Sequence, residues 1–159
     1  MKIIVVSDSH GDVDILKDIV RSNPNADIYL HLGDSCVEEP YISPFVSVKG
    51  NCDYFSSYPE YRIIKTKRCN IYANHGHLHS YVDNTFLKSK DCKIYLFGHT
   101  HCHFIKQDGE YLYLNPGSTS RPRDGTNGTY MIMNITENEI EITIKEIGGK
   151  ENVGYLKIN

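Results

Sequence analysis

The chain has no long hydrophobic run. Its first apolar stretch, Ile3-Ile4-Val5-Val6, is four residues long before Ser7-Asp8, far short of a signal-peptide core or the roughly 20 residues of a membrane span. No membrane association is therefore expected, and the cytoplasm is the default location. A basic tract is also missing. Lys and Arg number 17 against 20 Asp and Glu, for a formal charge of −3, and cations never cluster in a run, which argues against extended binding along a nucleic-acid backbone. Nor are the cysteines paired. Cys36, Cys52, Cys69, Cys92 and Cys102 form an odd set without C-x-x-C spacing. Neither a disulfide framework nor a closed structural zinc site is expected, and these residues suit a reducing compartment as small, partly buried side chains. Repeats, linkers and low-complexity stretches are absent as well.

What is present fits one compact domain. A chain of 159 residues buries about 70% of its unfolded surface, and 40% hydrophobic with 23% charged residues is a globular balance. Apolar runs at 2–7, 27–32 and 45–48 read as strands, with Val13, Leu16, Ile19 and Val20 at helical spacing up to Asn23-Pro24. Further strands are expected at 62–65, 69–73 and 94–97, with a helix over 81–90. Period-two segments at 104–106, 111–114, 130–135 and 139–147 flank two turns, and a short strand at 155–158 follows Gly148-Gly149. Strand and helix alternation first, then hairpins, predicts an α/β fold of two sheets packed face to face with helices on the outer faces.

The chemistry gathers where apolar strands stop. Asp8-Ser9-His10 follows the first strand, and if the chain stays extended there both side chains point to one side and one cation could take both. The same reading applies to His99-Thr100-His101, with Thr100 facing away. Gly33-Asp34, Gly50-Asn51 and His75-Gly76 add one ligand each beside a glycine that allows close backbone approach. Carboxyl ends of parallel strands can bring all of these to one edge of the fold. Two divalent ions roughly 3.5–4 Å apart repel each other, so a carboxylate must lie between them, and Asp34 is the expected bridge. Mixed nitrogen and oxygen ligands suit manganese, with iron, nickel, cobalt or zinc as alternatives. Water between such ions loses a proton near neutral pH and is placed to attack phosphorus.

In this order, Asp8-Ser9-His10, Gly33-Asp34, Gly50-Asn51-Cys52-Asp53, Asn74-His75-Gly76, Gly98-His99-Thr100-His101 and Asn115-Pro116-Gly117-Ser118 make the chain resemble the calcineurin-like metallophosphoesterases. The likeness covers nearly the whole chain and is to their small single-domain phosphodiesterase branch. It implies a four-layer α/β/β/α sandwich. It also implies a first metal on Asp8, His10 and His101, a second on Asn51, His75 and His99, and Asp34 bridging both. The implied reaction is hydrolysis of a small phosphodiester, with Asp34, Asn51 and His75 at the reacting centre and homo-oligomer formation left open. Phosphomonoester hydrolysis is one alternative. The branch also includes a retromer subunit that lost activity through altered ligands, so a non-catalytic protein-interaction scaffold with a vestigial metal site is another.

The larger phosphatases of the superfamily carry a His after the Asn as a proposed general acid, whereas Cys52 follows Asn51 here. A neutral thiol is a poor substitute, and His77 is the alternative candidate. His31 reads as a hydrogen-bonded structural residue, and His79 and His103 as rim or surface residues. Asn115-Pro116-Gly117-Ser118 reads as a turn or as support for the pocket. Arg121 and Arg123 either clamp phosphate oxygens or lie on a solvated loop. Tyr54, Phe55 and Tyr58 either stack on an aromatic substrate group or serve core packing or a subunit contact.

Overall fold

The computed structural model describes residues 1–54, 56–78 and 81–159; Phe55 and His79, singled out above, lie outside the described residues. In chain order the elements are β1 (Lys2–Val6), α1 (Val13–Ser22), β2 (Ile28–His31), β3 (Val46–Ser47), β4 (Tyr61–Lys65), β5 (Asn70–Asn74), α2 (Asn84–Ser89), β6 (Ile94–Leu96), β7 (His103–Asp108), β8 (Tyr111–Pro116), β9 (Thr129–Ile135), β10 (Ile140–Glu146) and β11 (Asn152–Ile158). A 3-10 turn over Glu39–Ile42 precedes β3. No helix among the described residues is long and apolar enough to cross a membrane.

The strands form two mixed sheets, one of order β11-β10-β9-β1-β2-β3 and one of order β4-β5-β6-β8-β7. In the first, β1, β2 and β3 run parallel; in the second, β5, β6 and β8 do. Hairpin strands complete each sheet. The pleat explains why β1 is an unbroken apolar run. Ile3 and Val5 pack in the core shared by the sheets, against Ile71, Leu96 and Leu114. Ile4 and Val6 point the other way, onto Leu16 and Ile19 of α1. A strand buried on both faces has no polar side to show. On the far side, Leu87 of α2 packs on Tyr72 and Tyr95 of the second sheet. The layers are therefore helix, sheet, sheet, helix, as the resemblance implied.

Helix boundaries follow their caps. The Asp12 side chain accepts from the Ile15 amide at 3.1 Å, which opens α1. In α2 the Asp83 side chain accepts from the Phe86 amide at 2.8 Å, so the helix starts later than the pattern over 81–90 suggested. The terminal strand is longer than expected for a packing reason. The expected strand began at 155, yet Gly154 pairs with Ile144, and a Cβ there would come within 3.2 Å of that side chain.

Leu96 is fully buried between the sheets. Leu96→Ala is expected to cost 2–5 kcal/mol, on the order of other buried Leu→Ala changes, and Ile63→Ala, on a half-exposed edge position, about 0.5 kcal/mol or less. Urea unfolding of the two variants checks this.

Candidate metal centre

Every loop carrying a proposed ligand leaves the carboxyl end of a parallel strand, and short backbone bonds tie these loops across the sheets. The Asp8 amide donates to Gly33 O at 3.0 Å, His10 to Asp34 O at 3.0 Å and Gly98 to His75 O at 3.0 Å. The chain does not stay extended past β1 or β6, and here the sequence expectation is corrected. Asp8 (φ 53°), His10 (φ 43°), Asp34 (φ 57°), His99 (φ 67°) and His101 (φ 61°) all adopt the left-handed region. Non-glycine residues rarely do so, and they persist there only where surrounding bonds over-determine them. The turn geometry keeps Asp8 and His10 together. It also separates the imidazoles of 99 and 101: His101 stacks near His10 at 5.2 Å between centroids, whereas His99 lies against His75 at 5.1 Å. Nor does Thr100 simply face away, since its hydroxyl accepts from Asn115 Nδ2 at 3.1 Å.

Two acid–imidazole clusters result, Asp8–His10–His101 and Asp8–Asp34–His75, each with its ligand atoms within 4.8 Å of one another. His75 Nδ1–H donates to Leu32 O at 2.7 Å, and His101 Nδ1–H donates to Arg121 O at 2.6 Å. Both rings therefore turn Nε2 inward, as metal-ligating imidazoles do. Asp8 Oδ1 lies 3.1 Å from His101 Nε2 and 3.9 Å from His75 Nε2, is buried, and has no hydrogen-bond donor among the described residues. Something positive must sit before that oxygen. A proton on His101 would answer one cluster; cations answer both and satisfy the inward nitrogens. The donor set fits divalent ions on this ground.

The remaining ligands border the same space. Asn51 Oδ1 is 3.1 Å from His75 Nε2, and Asp34 Oδ2 is 3.5 Å from it. His10, Asp34, Asn51, His99 and His101 share one open pocket with Arg121 and Arg123. Burial pushes the Asp34 carboxyl up, but the His75 hydrogen bond and the Cys52 amide at 2.7 Å outweigh it and hold Asp34 below the usual carboxylate range. Burial pushes His75 down, but its Asp34 hydrogen bond and the charges of Asp8 and Asp34 raise it above its ordinary value. An anionic Asp34 beside His75 favours positive charge at the centre, whereas burial lowers His10 and His99 and keeps their nitrogens free to ligate.

The geometry agrees with comparison to known proteins. Residues 1–138 match the model of the calcineurin-like phosphoesterase superfamily domain. The chain belongs to this superfamily. It is 28% identical to the probable metallophosphoesterase YsnB of Bacillus subtilis, covering 95% of this chain and 94% of that protein. Among solved structures, a conserved Streptococcus pneumoniae TIGR4 protein described as a predicted phosphoesterase superposes with a TM-score of 0.86 at 29% identity, covering 99% of this chain and 96% of that one. Vps29 of Entamoeba histolytica, solved with zinc, shares the fold with a TM-score of 0.77 at 21% identity over 99% and 98% of the two chains.

Within this phosphoesterase domain the other candidates separate. His31 is fully buried; Gly33 N–H donates to its Nδ1 at 3.1 Å, which leaves Nε2–H to face Ser9 Oγ at 2.9 Å. His103 is tied through Nδ1 to Asp124 at 2.7 Å. His77 stands 5.3 Å from His75 between ring centroids, with a buried Nδ1 that has no hydrogen-bond partner among the described residues. Asn115 and Ser118 act as pocket support: Asn115 Nδ2 donates to Gly98 O at 2.8 Å and Ser118 Oγ donates to Asp8 O at 2.8 Å. Tyr58 belongs to the core, whereas Tyr54 is exposed. The Cys52 thiol is held up by burial, as is that of Cys36, pushed up to about 11.

Sequence reading gave Asp53 no role, although it stands in the Gly50-Asn51-Cys52-Asp53 motif. Its carboxylate accepts from the amides of Asp34, Gly50 and Cys36, each at 2.8 Å. It thus clamps the Asp34 loop to the Asn51 loop. Sequence reading also missed that Cys36 and Cys52 meet beside His10, because residues so far apart in sequence carry no pairing signal.

Two glycines are required by contact rather than by turn conformation. A Cβ on Gly50 would lie 2.1 Å from Asp34 Oδ1, and one on Gly98 would lie 2.0 Å from Ser7 Oγ. Gly50→Ala is therefore expected to displace the Asp34 carboxylate and weaken metal binding at least tenfold, on the order of losing a group that orients a ligand. Manganese titration followed by calorimetry checks it. A second expectation concerns pH. Burial lowers His31 from 6.5 to about 4. Its contribution to stability is complete above pH 6.5 and is lost as pH falls toward 4, because the unfolded chain then binds the extra proton; the span is worth roughly 3 kcal/mol. Urea midpoints across this window should fall in the wild type, and His31→Gln should flatten the slope.

Proposed function

We propose that the chain is a metal-dependent phosphodiesterase working with two divalent ions, manganese being the first choice. Asp8, His10 and His101 would hold one ion, Asn51, His75 and His99 the other, and Asp34 would serve both. The observation that carries this reading is the buried, donorless Asp8 Oδ1 facing the inward nitrogens of His75 and His101. Asp34 as bridge draws support from its electrostatic reach to both His10 and His75. Asp8 has the same reach, so the two acids are distinguished by experiment below. Bound ions would supply Lewis acidity at the phosphate oxygens and a water deprotonated near neutral pH.

The chain's own groups do the rest. Arg121 and Arg123, on the rim of the pocket that holds Asp34 and His101, bind the non-bridging phosphate oxygens through guanidinium forks. The Cys52 amide fixes the Asp34 carboxylate in place. His77, beside His75 and His99, is the group nearest to hand for protonating the departing oxygen, since the Cys52 thiol is held neutral and weakly acidic by burial. Free thiols at Cys36 and Cys52 fit a cytoplasmic enzyme. The diester class comes from the resemblance to the small phosphodiesterase branch. A scaffold reading is favoured by the fold shared with Vps29 and disfavoured by the retention of all seven ligand types.

Manganese-loaded protein should hydrolyse bis(p-nitrophenyl) phosphate faster than p-nitrophenyl phosphate, and a chelator should abolish the activity. Elemental analysis should find two ions in the wild type, none in Asp34→Ala and one in Asp8→Ala. Loss of both ions in Asp8→Ala, with one kept in Asp34→Ala, would move the bridge to Asp8. Faster monoester cleavage would change the substrate class, and no cleavage of any ester would leave the scaffold.

A further inference from the structure

A cleft of about 570 Å³ opens beside the metal centre, between the 81–85 segment and the outer face of β6, β7 and β8. His99 borders both this cleft and the pocket that holds His10, Asp34, Asn51 and His101. One wall is aromatic. Phe97 stacks on Tyr95 at 5.0 Å between centroids and meets Phe104 at 6.2 Å, while Tyr113 stands edge-on to Tyr95 at 6.3 Å. Lys106 reaches over the Tyr113 ring at 5.7 Å. Phe104 is 43% exposed on the face of β7 that also presents Lys106, so burial in the core does not account for it. The space falls within the size range of pockets for small organic ligands.

We propose that this cleft seats a flat aromatic group, nucleobase or aryl, on the phosphate substituent that stays attached during hydrolysis. The inference deepens the phosphodiesterase reading and rests on it. A phosphate held at the candidate metal centre would have Arg121 and Arg123 on one side, and its organic group would run past His99 to the aromatic wall on the other. Aromatic faces bind such a group through stacking, with little regard for the pattern of its polar edges. The Tyr54 region, which the sequence offered for this task, lies elsewhere, next to Cys36 and Cys52.

The test keeps p-nitrophenol as the common leaving group and varies the retained group among methyl, phenyl and thymidine 5′-yl. The phenyl and thymidine esters should show kcat/KM about tenfold or more above the methyl ester, the order expected of one aromatic stack. Phe104→Ala should erase that advantage through KM, with kcat and the methyl ester unchanged. Thr85→Arg, which fills the cleft from α2, should act in the same way. Thymidine above phenyl identifies a nucleobase, and equality identifies a general aryl site. Equal rates for all three esters, or a parallel loss on all three in Phe104→Ala, would overturn the proposal. If no ester is cleaved, the phosphodiesterase reading itself has failed; calorimetry with thymidine 5′-monophosphate then tests the cleft alone. A weakening of about tenfold in Phe104→Ala supports it, and unchanged affinity removes it.

Discussion

A carboxylate oxygen buried with no hydrogen-bond donor among the described residues is the constraint around which this molecule is arranged. Asp8 sits at the seam of the two sheets with no solvent exposure. Its Oδ2 is satisfied by the Ser7 hydroxyl at 2.5 Å and the His99 amide at 3.0 Å, so one loop from each sheet is committed to one oxygen. Its Oδ1 faces imidazole nitrogens and has no hydrogen-bond donor among the described residues. Isolated charge of this kind is costly in a folded interior unless positive charge answers it. The rest of the edge supplies groups that could hold such a charge.

Keeping such a site in register requires that the loops be stiff. Five proposed ligands occupy left-handed backbone, and each such residue costs free energy that neighbouring bonds must offset. Those bonds run between loops rather than within them. Asp53 ties the Asp34 and Asn51 loops, Asn115 ties the loop after β6 to the end of β8, and Ser118 holds the backbone of Asp8. Gly50 and Gly98 bring backbone against the carboxylate of Asp34 and the hydroxyl of Ser7, where any side chain would collide. Most of this strain lies at the edge of the fold that carries the candidate ligands, although Asp91, just before β6, also has a left-handed φ of 53°.

Much of this was legible beforehand. The strands were marked by their apolar runs, α1 by the helical spacing of Val13, Leu16, Ile19 and Val20, and the candidate ligands stood out because they gather just after apolar strands, several of them beside a glycine. Reading failed where contact outweighs pattern. The last strand was expected only from 155, yet β11 begins at Asn152 and runs through Gly154, which pairs with Ile144 where a side chain would fit tightly. The extended geometry assumed for Asp8-Ser9-His10 and His99-Thr100-His101 was wrong, because bonds from other loops bend both segments.

By itself the sequence determined the two-sheet architecture and the family, and it named the candidate metal ligands, since these depend on local periodicity and on residue type before a turn. Tertiary structure alone decided which imidazole faces which acid, that Asp53 is a clamp, that Cys36 and Cys52 meet, and that Phe97 and Phe104 wall a cleft beside His99. All of these are relations between segments far apart in the chain. Their distances are set by how two sheets stack, and no local pattern encodes that.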